Sequence, residues 1–332
     1  MDPISQAFAG ATFSQSLARI DNSQKTAFIA GALSGMAADL DVLIRSGTDS
    51  LLFLEYHRQF THSLLFIPLG ALICAAVVSL LLRNRTDFRQ LYIYCLLGYA
   101  THGLLDACTS YGTQLFWPFS DYRVAWDIVS VIDPLFTVPI MLLVLTGIAT
   151  GRQRFPRIAL LYGLAYLAIG YVQHERAMQA LTVLASERNH AVIRPTVKPT
   201  LGNLYLWKLI YEYDGRYYID AARIGQTTEL IPGDSVSSRI EVNGLDPESV
   251  QAQDIERFRW FSSGYISHYR DDPLMIGDIR YSLLPDEVTP LWGIRLNPEE
   301  PDARAQFLST RRLTDSSRKR FMTLLFGGIL WQ

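Results

Sequence analysis

The chain has 332 residues, 49% of them apolar and 19% charged, and its net charge is −2. That length suits two units of ordinary domain size. With no basic surplus to neutralise phosphates, no nucleic-acid partner is expected, and because Cys74, Cys95 and Cys108 all lie in the apolar half, no disulfide framework is expected in the polar half.

In chain order, the opening MDPISQAFAGATFSQSLARID lacks the basic start and cleavage site of a secretory signal and is expected to be retained. Residues 4–17 and 26–44 are rich in Gly, Ala and Ser, as close helix packing in membranes favours, and read as a helical hairpin. Residues 63–82 carry no charge, and about 20 apolar residues cross a hydrocarbon core. Residues 91–108 come next with the polar pair His102 and Asp106. Residues 128–150 hold Asp133 as their only charge, and a shorter apolar stretch covers 158–172. The short connections put eight Lys or Arg on one side (Arg19, Lys25, Arg83, Arg85, Arg89, Arg152, Arg154, Arg157) and three on the other (Arg45, Arg58, Arg123). The more basic side is expected to face the cytoplasm, which leaves both termini outside it.

The texture changes after residue 173. Residues 174–190 read as an amphipathic linker helix. Beyond them, Asp214-Gly215 between two apolar-aromatic runs signals a hairpin. Further strands are expected over 258–269, 275–283 and 291–296. The closing RFMTLLFGGILWQ is too short to cross a bilayer and is expected to dock on the domain or lie in the interface. The expected architecture is a mainly α polytopic membrane bundle of about six segments over 1–173, two of them short. A soluble, extracytoplasmic α+β or β-rich domain follows over 191–332.

Three places carry chemistry: Asp39-Leu40-Asp41, the stretch from His57 to Ser63, and the run from Thr101 to Asp106 with Thr109 to Thr113 behind it. On the expected topology all fall near the less basic face. His102 and Asp106 are four apart and share a helix face. An acidic residue deep in a membrane helix costs about 2.5–3.5 kcal/mol, so such residues are seldom idle. Imidazole with carboxylate suits zinc or a similar divalent ion, and metal-assisted hydrolysis is the sharpest reading. Plainer readings stand beside it. Asp39 and Asp41 would serve as caps or sit at a wet interface, His57 would be an exposed loop residue, and His102 with Asp106 a structural pair. Asp133 before Pro134 fits an N-cap with proline at the first helical position.

On MDPISQAFAG, AADLD, HRQFTHS, GYATHGLLDACTSYGTQLFWPFS and WDIVSVIDPLF, the chain resembles a family of bacterial inner-membrane proteins described as metal-dependent hydrolases and labelled LexA-binding or LexA-regulated. The resemblance covers residues 1 to about 150. It implies metal dependence and hydrolysis, with Asp39, Asp41, His57, His62, His102 and Asp106 as the site. Members begin with a Thr-His pair where this chain has Ser5-Gln6, and a neutral amide is a poor zinc ligand. The resulting expectation is a membrane-bound hydrolase acting on a lipid or envelope substrate, with zinc, or alternatively manganese, held by His57, His62, His102 and Asp106. Asp39 or Asp41 would be the general base, and Arg58 would steer an anionic group. Membrane lipids are the expected surroundings. The rivals are a non-enzymatic envelope protein whose cluster is structural and, less favoured, an ion or proton transporter.

Overall fold

The computed structural model describes residues 1–17, 23–82, 86–300, 302–311 and 313–327. Arg19, Arg83 and Arg85 of the charge count, and the last residues of the closing apolar stretch, lie outside them.

The chain divides into two compact units. The first comprises Met1–Ile44, Tyr56–Val172 and Leu201–Asn203, and the second Arg45–Glu55, Gln173–Thr200 and Leu204–Gln332. In the first, α1 (Pro3–Leu17) and α2 (Ser23–Ala37) form the expected hairpin, and α2 runs on into a 3₁₀ turn, Ala38–Leu43. The short α3 (Leu52–Tyr56) belongs to the second unit up to Glu55, and a 3₁₀ turn at Phe60–His62 precedes α4 (Ile67–Leu81), α5 (Phe88–Ala107) and α6 (Pro134–Thr150). The small residues work as packing surfaces: a Cβ on Gly35 would stand 2.6 Å from the Gln6 carbonyl oxygen. Ala27, Ala30, Ala71, Ala75, Tyr94 and Cys95 fill the core between α2, α4 and α5.

Among the described residues, two helices are long and apolar enough to cross a membrane, Gln24–Leu43 and Arg154–Glu187. The pair Leu52–His62 and Ile67–Leu81, bent by 86°, makes a third if counted as one span. α5 is not among them, since Arg89, His102 and Asp106 interrupt its apolar run. α6 starts as its sequence suggests: Asp133 caps it, accepting from the Leu135 and Phe136 amides, with Pro134 at the first position and the Tyr166 hydroxyl donating to Asp133 Oδ2 at 2.8 Å. α7 (Arg154–Glu187) is one continuous helix of 34 residues, where the sequence suggests a membrane segment and a separate linker helix.

The second unit holds two four-stranded antiparallel sheets, β1-β2-β3-β4 and β5-β6-β7-β8. In the first, β2 (Leu206–Tyr213) and β3 (Arg216–Ile224) meet across Asp214-Gly215, whose φ values of 48° and 69° suit a two-residue hairpin turn. β1 (Ile193–Pro199) and β4 (Thr228–Ser237) flank them. Strand periodicity splits the burial of β2 between two faces. Trp207, Leu209 and Tyr211 pack with Ala177, Leu181 and Ala185 of α7, whereas Ile210 packs with Tyr217, Ile219, Tyr265 and Ile279. The second sheet contains β5 (Ile266–His268), β6 (Met275–Asp278), β7 (Trp292–Arg295) and β8 (Gln306–Ser309). Of the expected strand at 258–269, residues 258–261 are the end of α8 (Val250–Phe261), and strand forms only at β5, Ile266–His268. Ser249 caps this helix, and Ile255, Phe258 and Phe261 recur at helical spacing on its buried side. The chain's last described helix is α9 (Asp315–Phe326).

Candidate metal centre

Three elements of the helical unit converge. The 3₁₀ turn ending α2 presents Asp39 and Asp41, the turn before α4 presents His62, and α5 presents His102 and Asp106 one turn apart. Their approach depends on Gly103, where a Cβ would lie 2.3 Å from the His62 carbonyl oxygen. Any larger residue there would push the His62 turn off α5.

The ring nitrogens can be assigned from their partners. His102 Nδ1 is 2.5 Å from the Gly35 carbonyl oxygen, and a carbonyl only accepts, so Nδ1 carries the proton. His62 Nδ1 is 3.2 Å from Asp41 Oδ2, and Thr61 donates its hydroxyl to the same oxygen at 2.8 Å. In neutral rings both Nε2 atoms are then bare, and they face each other at 2.9 Å. Two lone pairs at that separation repel unless a cation or proton lies between them.

Carboxylates complete the set. Asp39 Oδ1 stands 3.4 Å from His62 Nε2 and 3.3 Å from His102 Nε2, while Asp106 Oδ2 stands 3.4 Å and 3.8 Å from the same atoms. Tetrahedral zinc with bonds of about 2.0–2.1 Å has ligand–ligand edges of about 3.3 Å, so 2.9–3.8 Å is the spacing such an ion needs. Asp106 Oδ2 is buried and meets no donor in hydrogen-bond geometry, although the Arg58 guanidinium pairs with it at 3.1 Å, so it retains a lone pair toward the histidines. The side chains of His62, His102 and Asp106 are fully buried, and that of Asp39 is 21% exposed. By geometry and by donor chemistry, Asp39, His62, His102 and Asp106 could hold a metal ion.

The surroundings hold these groups in place. Asp41 also accepts from the Arg58 amide at 3.0 Å and meets His57 Nδ1 at 2.7 Å, so His57 belongs to a neighbouring group with Asp39 and Asp41. Arg58 is buried, with Nε 3.1 Å from Asp106 Oδ2 and Nη1 donating to Thr109 at 3.1 Å. Its φ of 67° is left-handed, an uncommon state for a residue with a side chain. Gln6 donates to Asp106 Oδ1 at 2.9 Å, the Met1 amino group contacts the same oxygen, and Gln6 Oε1 is buried without a hydrogen bond.

All six of the sequence-derived carboxylates and imidazoles therefore fall into two adjoining groups that share Asp39. Asp121 and Asp127 join neither, and Asp133 is spent on its cap. Sequence reading gave no role to Gly35, Thr61, Gly103 or Thr109. Thr61 lies inside the HRQFTHS motif and Thr109 three residues beyond Asp106, which was the available signal for both. A backbone carbonyl such as that of Gly35 leaves no such mark.

A family profile described as YdjM inner membrane protein matches residues 1–177, more than half of the chain and all of the helices that carry the centre. The chain belongs to this family. The apolar helices described above accord with an inner-membrane YdjM protein. The chain is also 24% identical, over 241 residues, to the uncharacterized protein YfhP of Bacillus subtilis (strain 168), a match covering 71% of this chain and 70% of that protein. No solved structure matches it.

Proposed function

We propose that this YdjM-family chain is a membrane-bound, metal-dependent hydrolase whose centre lies at the extracytoplasmic face of the inner membrane and acts on a lipid or cell-envelope substrate. The reading takes residues 1–173 as a membrane domain of about six embedded segments, two of them short. Residues 174–190 are the helical link and 191–332 a periplasmic domain. The observation that carries it is the convergence of two imidazole Nε2 nitrogens and two carboxylate oxygens at ligand spacing.

Zinc suits this mixed nitrogen and oxygen set, with manganese as the alternative. When bound, the ion would polarise the scissile carbonyl or phosphoryl oxygen and lower the pKa of a water beside it. The protein's own part is positioning. Gly35 and Asp41 fix the two imidazoles. Arg58, in this reading, holds Asp106 and offsets its charge instead of steering substrate from solvent. Asp39 and Asp41 are the carboxylates available to take the water's proton. Asp39 is the one that solvent reaches, since the Asp41 side chain is fully buried.

Elemental mass spectrometry of the detergent-purified protein tests the proposal, together with a His62→Ala/His102→Ala variant checked for folding. Tightly held metal that the variant loses, with hydrolysis of a phospholipid or envelope ester by the wild type alone, is the expected result. A well-folded wild type that takes up neither zinc nor manganese would leave the cluster as structural packing and end the hydrolase reading.

A further inference from the structure

The two adjoining groups differ in how completely their atoms are used. In the buried group each ligand oxygen faces both histidine Nε2 atoms. In the other group, Asp39, Asp41 and His57 each offer an atom within 4.8 Å of the others. Asp39 turns Oδ1 to His62 and His102, and no protein group is described at its Oδ2. Asp41 divides its oxygens in the same way. Oδ2 takes the Arg58 amide, the Thr61 hydroxyl and His62 Nδ1, whereas Oδ1 meets His57 Nδ1 alone.

The second group also lies on the wetter side. The His57 side chain is 30% exposed and that of Asp39 21%, with Asp41 fully buried, against none for His62, His102 and Asp106. The left-handed turn at Arg58 separates the two histidines of the HRQFTH stretch. Their rings sit 5.9 Å apart between centroids at an interplanar angle of 84°, and their ligand atoms fall in different groups.

We propose that the centre is dinuclear. Asp39 bridges through its two oxygens, and a second divalent cation at the exposed side takes the place of the proton that His57 Nδ1 shares with Asp41 Oδ1 at 2.7 Å, the proton leaving to solvent as the ion binds. Paired ions at about 3.5–4 Å are a recurrent arrangement in hydrolytic sites, and a shared carboxylate is compatible with that separation. Three protein ligands leave positions on the second ion open to water or to an anionic substrate oxygen. This inference rests on the metal reading above and revises one part of it: Asp39, already a ligand of the first ion, also binds the second, and Asp41 becomes a ligand, so neither is the proton acceptor.

The test loads the full-length, detergent-purified protein with manganese and measures ion content and the low-temperature paramagnetic resonance spectrum. About two ions per chain with an exchange-coupled spectrum is the expected result. In His57→Ala the content should halve and the spectrum become that of an isolated ion. One ion per chain in the wild type, with an isolated-ion spectrum, would overturn the second site and leave the first intact. No bound ion at all would overturn both. The wild-type spectrum decides the matter without any variant, so a misfolded His57→Ala protein would not obscure the answer.

Discussion

The two units treat buried charge in opposite ways. In the strand-rich unit each buried carboxylate is met by a guanidinium. Asp278 pairs with Arg280 through Nε at 2.9 Å and Nη2 at 2.7 Å, Asp254 takes Arg257 and Arg304, and Asp220 takes both terminal nitrogens of Arg188. In the helical unit Asp39, Asp41 and Asp106 crowd together against one guanidinium, Arg58, and the Met1 amino group, with two histidines whose Nε2 atoms face each other. The first pattern is closed and self-neutralised. The second is one positive charge short and aims its lone pairs at a common point. Burial alone does not distinguish a site from scaffolding; the balance of donors and acceptors does.

The largest expected effect lies on the closed side. Asp278→Ala leaves Arg280, only 4% exposed, without its counter-charge, and should cost about 3–5 kcal/mol in denaturant unfolding of the full chain. A loss under about 1 kcal/mol would mean that these pairs are not what holds the unit together.

Next comes the buried amine of that unit. Burial pushes Lys208 down to about 7, although it donates to Ser282 Oγ at 2.6 Å and to the Glu287 carbonyl at 2.8 Å. The unfolded chain holds the proton up to about pH 10.4, so between the two values it binds more protons than the native state, and stability rises with pH. The gain should reach on the order of a few kcal/mol by about pH 10, and Lys208→Met should flatten it. Chemical denaturation across that range, with identical slopes in the two proteins, would show that the amine does not titrate in this way.

On the open side the effects are smaller and fall on the ion. Asp41→Asn keeps the shape but loses the carboxylate that orients His62, and should weaken metal affinity roughly 10–100-fold in a chelator competition while unfolding is little changed. Gln6→His should have the smallest effect, slowing metal loss by roughly tenfold, since an imidazole there would replace an amide whose oxygen is buried without a partner. Unchanged release would show that this position supports Asp106 and nothing more.

What the sequence made legible was local. The cap at Asp133 before Pro134, the turn at Asp214-Gly215 and the shared face of His102 and Asp106 each depend on a few neighbouring residues. The inner-membrane family was also readable from its motifs. Long-range matters were less so. That His57 and His62 belong to different groups depends on a positive φ at Arg58, and that His102 has a fixed tautomer depends on the Gly35 carbonyl. The stretch at Phe258 looks like a strand when only its aromatics are weighed. The cap at Ser249 and the buried series after it make it a helix.

Arg58 has a consequence for how such a chain can change. Holding a side chain in the left-handed region costs about 1–2 kcal/mol, which glycine would recover. The same exchange would remove the guanidinium from Asp106. Selection for foldedness alone would drift this position toward glycine or asparagine, and selection for the centre would hold it at arginine. Among descendants of such a chain, the residue found there would therefore report which pressure has prevailed.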